Sequence, residues 1–142
     1  MSMQTELTTY IKADAEITAL ISDRYYPLLM PQLATYPSVV YTVINEQSNN
    51  HLAGNIGGGL VQAIYQFDTY STTYLNTLVI KEAFRNRLDG INHVDMGAVF
   101  VESILLDSTT NDMIEATDES QVNLYRASMT FKVDYQESVP TG

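Results

Sequence analysis

The residue types that most often carry chemistry are scarce and scattered in this chain. The two histidines, His51 and His93, lie far apart in sequence, and there is no cysteine. A transition-metal site needs several His or Cys ligands brought together, often at short spacings on one element. The pattern therefore disfavours a metal centre and favours two exposed loop histidines.

Two other segments share some features with ligand-binding loops. Residues 107–112 begin like a calcium loop, but the sixth position is not glycine and the twelfth is Asp118 rather than glutamate. Residues 54–59 are rich in glycine but precede a predicted strand, whereas phosphate-binding loops follow a strand and open a helix. No serine carries the signature of a nucleophile. We predict no catalytic residue, no metal site and no cofactor.

The charge is strongly acidic and unevenly distributed. The chain has 7 basic and 17 acidic residues and a net charge of −10, which argues against tight nucleic-acid binding, since Lys and Arg drive contact with phosphates. No Lys or Arg occurs between Arg87 and Arg126, while eight acidic residues give that segment a charge of −8: Asp89, Asp95, Glu102, Asp107, Asp112, Glu115, Asp118 and Glu119. A solvated face is one interpretation. The other is a surface that repels a polyanion or docks a basic partner.

Length and composition predict one soluble domain over residues 1–142. The absence of cysteine excludes disulfides. No basic start followed by an apolar run marks a signal peptide, and no stretch approaches the roughly 20 apolar residues of a membrane span. We therefore expect a protein assembled in the cytoplasm that does not interact with membranes.

Any functional surface must be positioned by the strand predicted at residues 122–135. Its side chains alternate between apolar and polar. Tyr125, Ala127, Met129, Phe131, Val133 and Tyr135 form an apolar row, and the residues between them are mostly polar. Such alternation is typical of a strand with one face on a core. The predicted helix at residues 72–88 can cover that face with Leu75, Val79, Ile80, Ala83, Phe84 and Leu88. Ser71 or Thr72 can cap its start, and Gly90 stands where a left-handed C-cap is expected.

The remaining elements complete an α+β layer. A short amphipathic helix is predicted at residues 3–13, and Asp14 can cap a second short helix. Tyr25 to Pro27 is predicted to be extended, and strands are predicted at residues 38–46, 60–71 and 96–106. The fold class is therefore α+β: a mostly antiparallel sheet of about four to five strands, with a short N-terminal helical region and one long helix packed on one face. Strands 38–46 and 60–71 form one predicted hairpin, and strands 96–106 and 122–135 form the other.

Two long loops and a frayed end complete the prediction. Residues 46–59 contain four glycines and show no periodicity, and residues 107–121 form a polar, acidic connection. Long loops without periodic structure are often functional. Residues 138–142 are predicted to fray.

Four segments, in this order, carry a resemblance to a known family: ADAEITALISDRYYP at residues 13–27, PQLATYPSVVY at 31–41, QFDTYSTTY at 66–74 and YRASMTFKVDY at 125–135. The chain resembles the tail-completion, or tail-terminator, family of long-tailed (siphovirus-type) bacteriophages and prophages. The resemblance covers nearly the whole chain. Tyr70 departs from the pattern, since many relatives carry tryptophan there, and residues 107–121 do not match residue by residue.

The resemblance implies a structural virion protein and not an enzyme. Such subunits form a ring, commonly a hexamer of self-copies, that caps the tail tube at the head–tail junction of the virion and is assembled in the cytoplasm of the bacterial host. The implied partners are the tail-tube protein and the head-connector or neck protein, and DNA can pass through the ring. The alternatives are another neck, head–tail connector or minor tail protein, or a small acidic α+β binding domain with a small-molecule pocket.

Both long loops are suited to contact a partner, because polar loops can become ordered on docking. The predicted assembly residues are Gln47, Asn49, Asn50, His51, Asn55, Asp107, Asp112, Glu115, Asp118 and Glu119.

Overall fold

The computed structural model describes residues 3–28, 36–49, 60–97, 99–114 and 123–136. In chain order the elements are α1 (Met3–Lys12), α2 (Ala15–Ile21), β1 (Tyr25–Pro27), β2 (Ser38–Asn49), β3 (Leu60–Ser71), α3 (Tyr74–Leu88), β4 (Ile91–Met96), β5 (Val99–Ile114) and β6 (Leu124–Gln136).

The strands form a single sheet in the order β1-β2-β3-β6-β5-β4. The short strand β1 runs parallel to β2, and every other neighbouring pair is antiparallel. The predicted α+β class and both predicted hairpins are confirmed, as β2 pairs with β3 and β5 pairs with β6. The details differ, since the described residues form a mixed sheet of six strands with three helices.

The core lies between the helices and one face of the sheet. The apolar row of β6 is buried from Ala127 to Tyr135, and α3 packs on it and on β3. Phe67 of β3 is the centre of this contact, with its ring 5.4 Å from that of Phe84 and 5.8 Å from that of Phe131. The predicted cover of the last strand by the long helix is therefore confirmed.

The predicted apolar side of α3 is too broad. Ile80, Phe84 and Leu88 are buried, but Leu75 is 68% exposed and Val79 39% exposed. Each residue turns a helix by about 100°, so Val79 points well away from the direction of Ile80. The burial of Thr77 supplies the start of the inward stripe instead.

Of the two predicted N-terminal helix caps, the structure contains one. The Asp14 carboxylate accepts bonds from the backbone N–H groups of Glu16 (2.9 Å) and Ile17 (3.0 Å), which confirms the predicted cap of α2. The predicted cap of α3 at Ser71 or Thr72 is wrong, because the helix starts at Tyr74 and its N-cap Thr73 makes no side-chain cap bond.

Strand β4 was missed by the sequence prediction, which placed His93 in a loop. Its exposure does not alternate, and His93 has a positive φ of 54° that interrupts the pairing with β5. A strand with such an interruption gives no two-residue periodicity to detect. The turn after β4 contains Gly97, whose φ is 62° and which lies against the side chain of Glu6 in α1.

Two strands extend into segments that were predicted to be loops. Residues 46–49 continue β2 and residues 107–114 continue β5, so the predicted loop boundaries at residues 46 and 107 are wrong. One register shift interrupts β2 and two interrupt β5. Each added residue reverses the alternation that a sequence pattern would show. The rest of both predicted loops, and the predicted frayed end, lie outside the described residues.

Candidate assembly surfaces

The structure describes four of the predicted assembly residues and places all of them on strands. Gln47 is exposed near the end of β2, and Asn49 is the last residue of that strand. Asp107 and Asp112 are exposed on β5. The others lie outside the described residues: Asn50, His51, Asn55, Glu115, Asp118 and Glu119.

Gln47 and Asp112 lie at opposite ends of the sheet, and Asp107 lies near its middle. Gln47 pairs with Gln62 of β3, whereas Asp112 pairs with Arg126 of β6, which is opposite Tyr70 of β3. From position 62 to position 70 the strand advances about 27 Å, at about 3.4 Å per residue. Gln47 and Asp112 therefore belong to two separate surfaces, which we call the Gln47 end and the Asp112 end.

At the Gln47 end the face of the sheet opposite the helices carries a shallow depression of 160 Å³. Amide side chains of β2 and β3 line one side, and an oppositely charged pair of β6 residues, Lys132 and Asp134, lines the other. On the helix side of the same end, Glu46 accepts a hydrogen bond from the Tyr135 hydroxyl, which ties β2 to β6 across β3. Burial, followed by the charge of Glu46, raises the pKa of Tyr65 nearby.

At the Asp112 end a cross-strand ion pair joins β5 to β6. Arg126 Nε donates to Asp112 Oδ1 at 2.8 Å, and a second guanidinium nitrogen donates to the other carboxylate oxygen. The hydrogen bond from Arg126 lowers the pKa of the Asp112 carboxyl, and the same bond raises the pKa of Arg126. Further along the strand, Lys132 lies 3.8 Å from Asp107.

These contacts change the interpretation of the acidic segment. The sequence between Arg87 and Arg126 contains no cation, but the register of β6 places Arg126 and Lys132 beside two of its carboxylates. The predicted uncompensated charge is therefore partly neutralised on the described strands. Arg126 and Lys132 already stood in the polar row that the sequence predicted for the last strand. Only the strand register shows which carboxylates they pair with.

The face of the sheet opposite the helices, which we call the open face, also holds a nearly buried carboxylate. Asp68 of β3 is 8% exposed. It accepts hydrogen bonds from Gln66 Nε2 at 3.0 Å and from the Ser128 hydroxyl at 2.5 Å. The bond from Ser128 joins β6 to β3 through this carboxylate.

Among the residues that the structure describes, no group of three or more His, Asp or Glu side chains could hold a metal ion. His93 lies 3.1 Å from Glu102 on the β4–β5 hairpin, and both side chains are partly exposed. A second shallow groove of 420 Å³ runs between α1 and β2 and is lined mainly by threonine hydroxyls, with no charged group. None of the described helices is long and apolar enough to span a bilayer.

Both edges of the sheet are only partly covered. Strand β1 pairs with β2 at residues 39–41, and β4 pairs with β5 at residues 99–104. Beyond these stretches, residues 42–49 and 107–114 have no strand on their outer side among the described parts of the chain. Such edges present unpaired backbone N–H and C=O groups.

Comparison with known proteins finds matches among solved structures. No protein-family model matches the chain, and no curated protein matches it. Among solved structures it is similar to a chain of the virion of a native gene transfer agent particle, with a TM-score of 0.69. The match covers 96% of each chain at 13% sequence identity. The two chains therefore share this fold across almost their full lengths.

Proposed function

We propose that this protein is a structural virion subunit that forms a ring, with six copies as the expected number, at the end of the tail of a phage-type particle. The ring caps the tail tube and provides the surface on which the head connector docks. Its site is the head–tail junction of the virion, and assembly takes place in the cytoplasm of a bacterial host.

The observation that carries this proposal is the match of 96% of the chain to a chain of a virion particle, with a TM-score of 0.69. The ordered sequence segments that resemble tail-completion proteins point to the same class. The two polar surfaces at opposite ends of the sheet support it further, because a junction subunit must contact one partner on each side.

A binding domain with a small-molecule pocket receives no comparable support. The space between α3 and the sheet, where such a domain would hold its pocket, is filled by the contact of Phe67 with Phe84 and Phe131. The two depressions described above are shallow and polar, whereas ligand pockets are typically concave and mostly apolar.

Immunogold electron microscopy tests the location directly. An epitope tag at the C-terminus, expressed from the native gene position, should place label at the junction between head and tail. Label on the capsid shell or at the distal tail tip would contradict the proposal. An untagged particle preparation and a tag on a capsid protein are the controls.

A deletion of residues 49–58 tests the role of the last residue of β2 and the segment that follows it. We expect the shortened subunit to fold, with an unchanged far-UV circular dichroism spectrum, and the particles to accumulate as separate heads and tails. Normal yields of infectious particles would show that this segment is not needed for joining.

A further inference from the structure

We propose that β2 in one copy pairs with β5 in the next copy, along edges that no described strand covers, so that the sheet continues from subunit to subunit. This inference rests on the proposed ring, and it names the surfaces by which the copies meet. The β2 edge is residues 42–49, and the β5 edge is residues 107–114.

The first support is that backbone hydrogen-bonding groups at the two edges lack a partner strand among the described residues. A strand edge without a partner leaves alternate N–H and C=O groups available to another strand. Both edges lie next to a short covering strand that stops early, β1 on one side and β4 on the other. The outer N–H of Leu106 is already taken by the Asp89 carboxylate at 2.9 Å, so the free stretch of β5 begins at residue 107.

The second support is strand direction. From β2 through β3 and β6 to β5 each neighbour is antiparallel, so β2 and β5 run in opposite directions. A second copy in the same orientation therefore brings its β2 antiparallel to β5 of the first copy, and its helices stay on the same face. The two free stretches have nearly the same length.

The positions of β1 and β4 add a stagger. β1 covers β2 at the Asp112 end, and β4 covers β5 at the Gln47 end, so the two free stretches lie at opposite ends of the sheet. Pairing them displaces each copy along the strand direction relative to the previous one. Closed sheets require such a stagger, and the contact is head-to-tail, as a ring needs.

The third support is the distribution of exposed apolar side chains. Ile44 on the β2 edge is 54% exposed, and Met113 on the β5 edge is 42% exposed. Leu105, just before the β5 edge, is 53% exposed. Large apolar side chains on open edges are a liability unless another chain covers them.

Charge selects β2 over a second β5 as the partner. A two-fold pairing of β5 centred between Thr109 and Thr110 would place Asp107 of one copy opposite Asp112 of the other. Like charges directly opposite each other destabilise a strand pair. The β2 edge carries one acidic residue, Glu46, which is hydrogen-bonded to the Tyr135 hydroxyl, and its other residues are uncharged.

Cross-linking between two single-cysteine variants tests the pairing, because the chain has no cysteine of its own. Full-length Asn45→Cys and Thr110→Cys proteins are mixed over a series of rising concentrations with a bismaleimide. We expect a dimer in the mixture whose linked peptides contain positions 45 and 110, and no dimer with either variant alone. A dimer of Thr110→Cys alone would show two-fold pairing, and the absence of a 45–110 link would overturn the inference.

A matched pair of substitutions tests the same edge without cross-linker. Ile44→Lys places a charge on the proposed interface, and Leu75→Lys places one on the exposed side of α3, where the native residue is 68% exposed. Light scattering should show self-association weakened about tenfold or more by Ile44→Lys and unchanged by Leu75→Lys. Equal effects of the two, or an effect of Leu75→Lys alone, would reject this edge.

The two proposals fail separately. Immunogold label at the junction without a 45–110 link would leave the proposed function intact and reject this interface. A 45–110 link with label elsewhere on the particle would keep the interface and reject the proposed function.

Discussion

The two halves of β5 differ sharply although both pair with β6. In the first half, Val99, Val101 and Ile104 are each at most 6% exposed, and β4 flanks the strand. In the second half, every residue from 107 to 113 is exposed, on the helix side as well as on the open face. The ladder to β6, with register shifts after Val101 and after Leu106, therefore joins a buried half of the strand to an exposed half.

The difference separates two sources of strand stability. Burial of apolar side chains holds the first half in place. The second half has its backbone ladder and exposed cross-strand pairs such as Asp112 with Arg126, and exposed pairs contribute little. We therefore expect the halves to respond very differently to substitution.

The largest expected effect is that of Ile104→Ala in the first half. Removal of this fully buried side chain should lower the free energy of unfolding by about 2–5 kcal/mol, measured by urea denaturation. Thr109→Ala in the second half is the control, with an expected change within about 0.5 kcal/mol. Similar losses at both positions would show that the second half is also part of the core.

The turn that leads into the first half should show a smaller effect. Gly97 has a φ of 62°, and a Cβ built there lies 1.5 Å from Glu6 Oε2. Gly97→Ala should therefore cost about 1–3 kcal/mol, from backbone strain and displacement of Glu6. Gly90→Ala is the matched control, since its φ is 90° but nothing lies within 4 Å of the added carbon. A larger loss at Gly90 would contradict the role of the Glu6 contact.

The smallest expected effect is that of the ion pair in the second half. Asp112→Asn should cost at most about 1 kcal/mol at neutral pH, because the side chains of Asp112 and Arg126 are 47% and 35% exposed. The folded-state pKa of Asp112 lies below its ordinary value of 3.8. The contribution is therefore complete above pH 3.8 and is lost as pH falls through the lowered folded pKa.

Urea denaturation of wild type and Asp112→Asn across a pH series measures this loss. The difference in unfolding free energy between the two proteins should shrink as the solution becomes more acidic, and it should also shrink at high salt. A difference that stays constant through the acidic range would mean that Asp112 acts through packing and not through charge.

How much the sequence predicts depends on burial. Strand β3 was predicted with both ends correct, and the apolar row of β6 was predicted residue by residue, because alternation is strong where one face lies on a core. The second half of β5 was predicted to be a loop, because a strand exposed on both faces has no apolar period to detect.

The candidate surfaces were predictable only in part. The sequence placed Gln47, Asp107 and Asp112 in loops that contact partners, whereas the structure places all three on strands with exposed side chains. The sequence could not show that Gln47 and Asp112 lie at opposite ends of the sheet, or that Arg126 and Lys132 neutralise part of the acidic segment. Both facts depend on strand order and register, which involve residues distant in sequence.

The extra residue in β2 has a consequence for tracing relatives of this chain. Before the register shift at Val43 and Asn45 the odd-numbered residues face the helices, and after it Glu46 does. A relative without the extra residue would keep the same sheet while its later β2 positions align one place out of phase. Gap-free alignments would then match inward side chains with outward ones, so comparison of backbone shapes is the more sensitive way to find distant members of this fold.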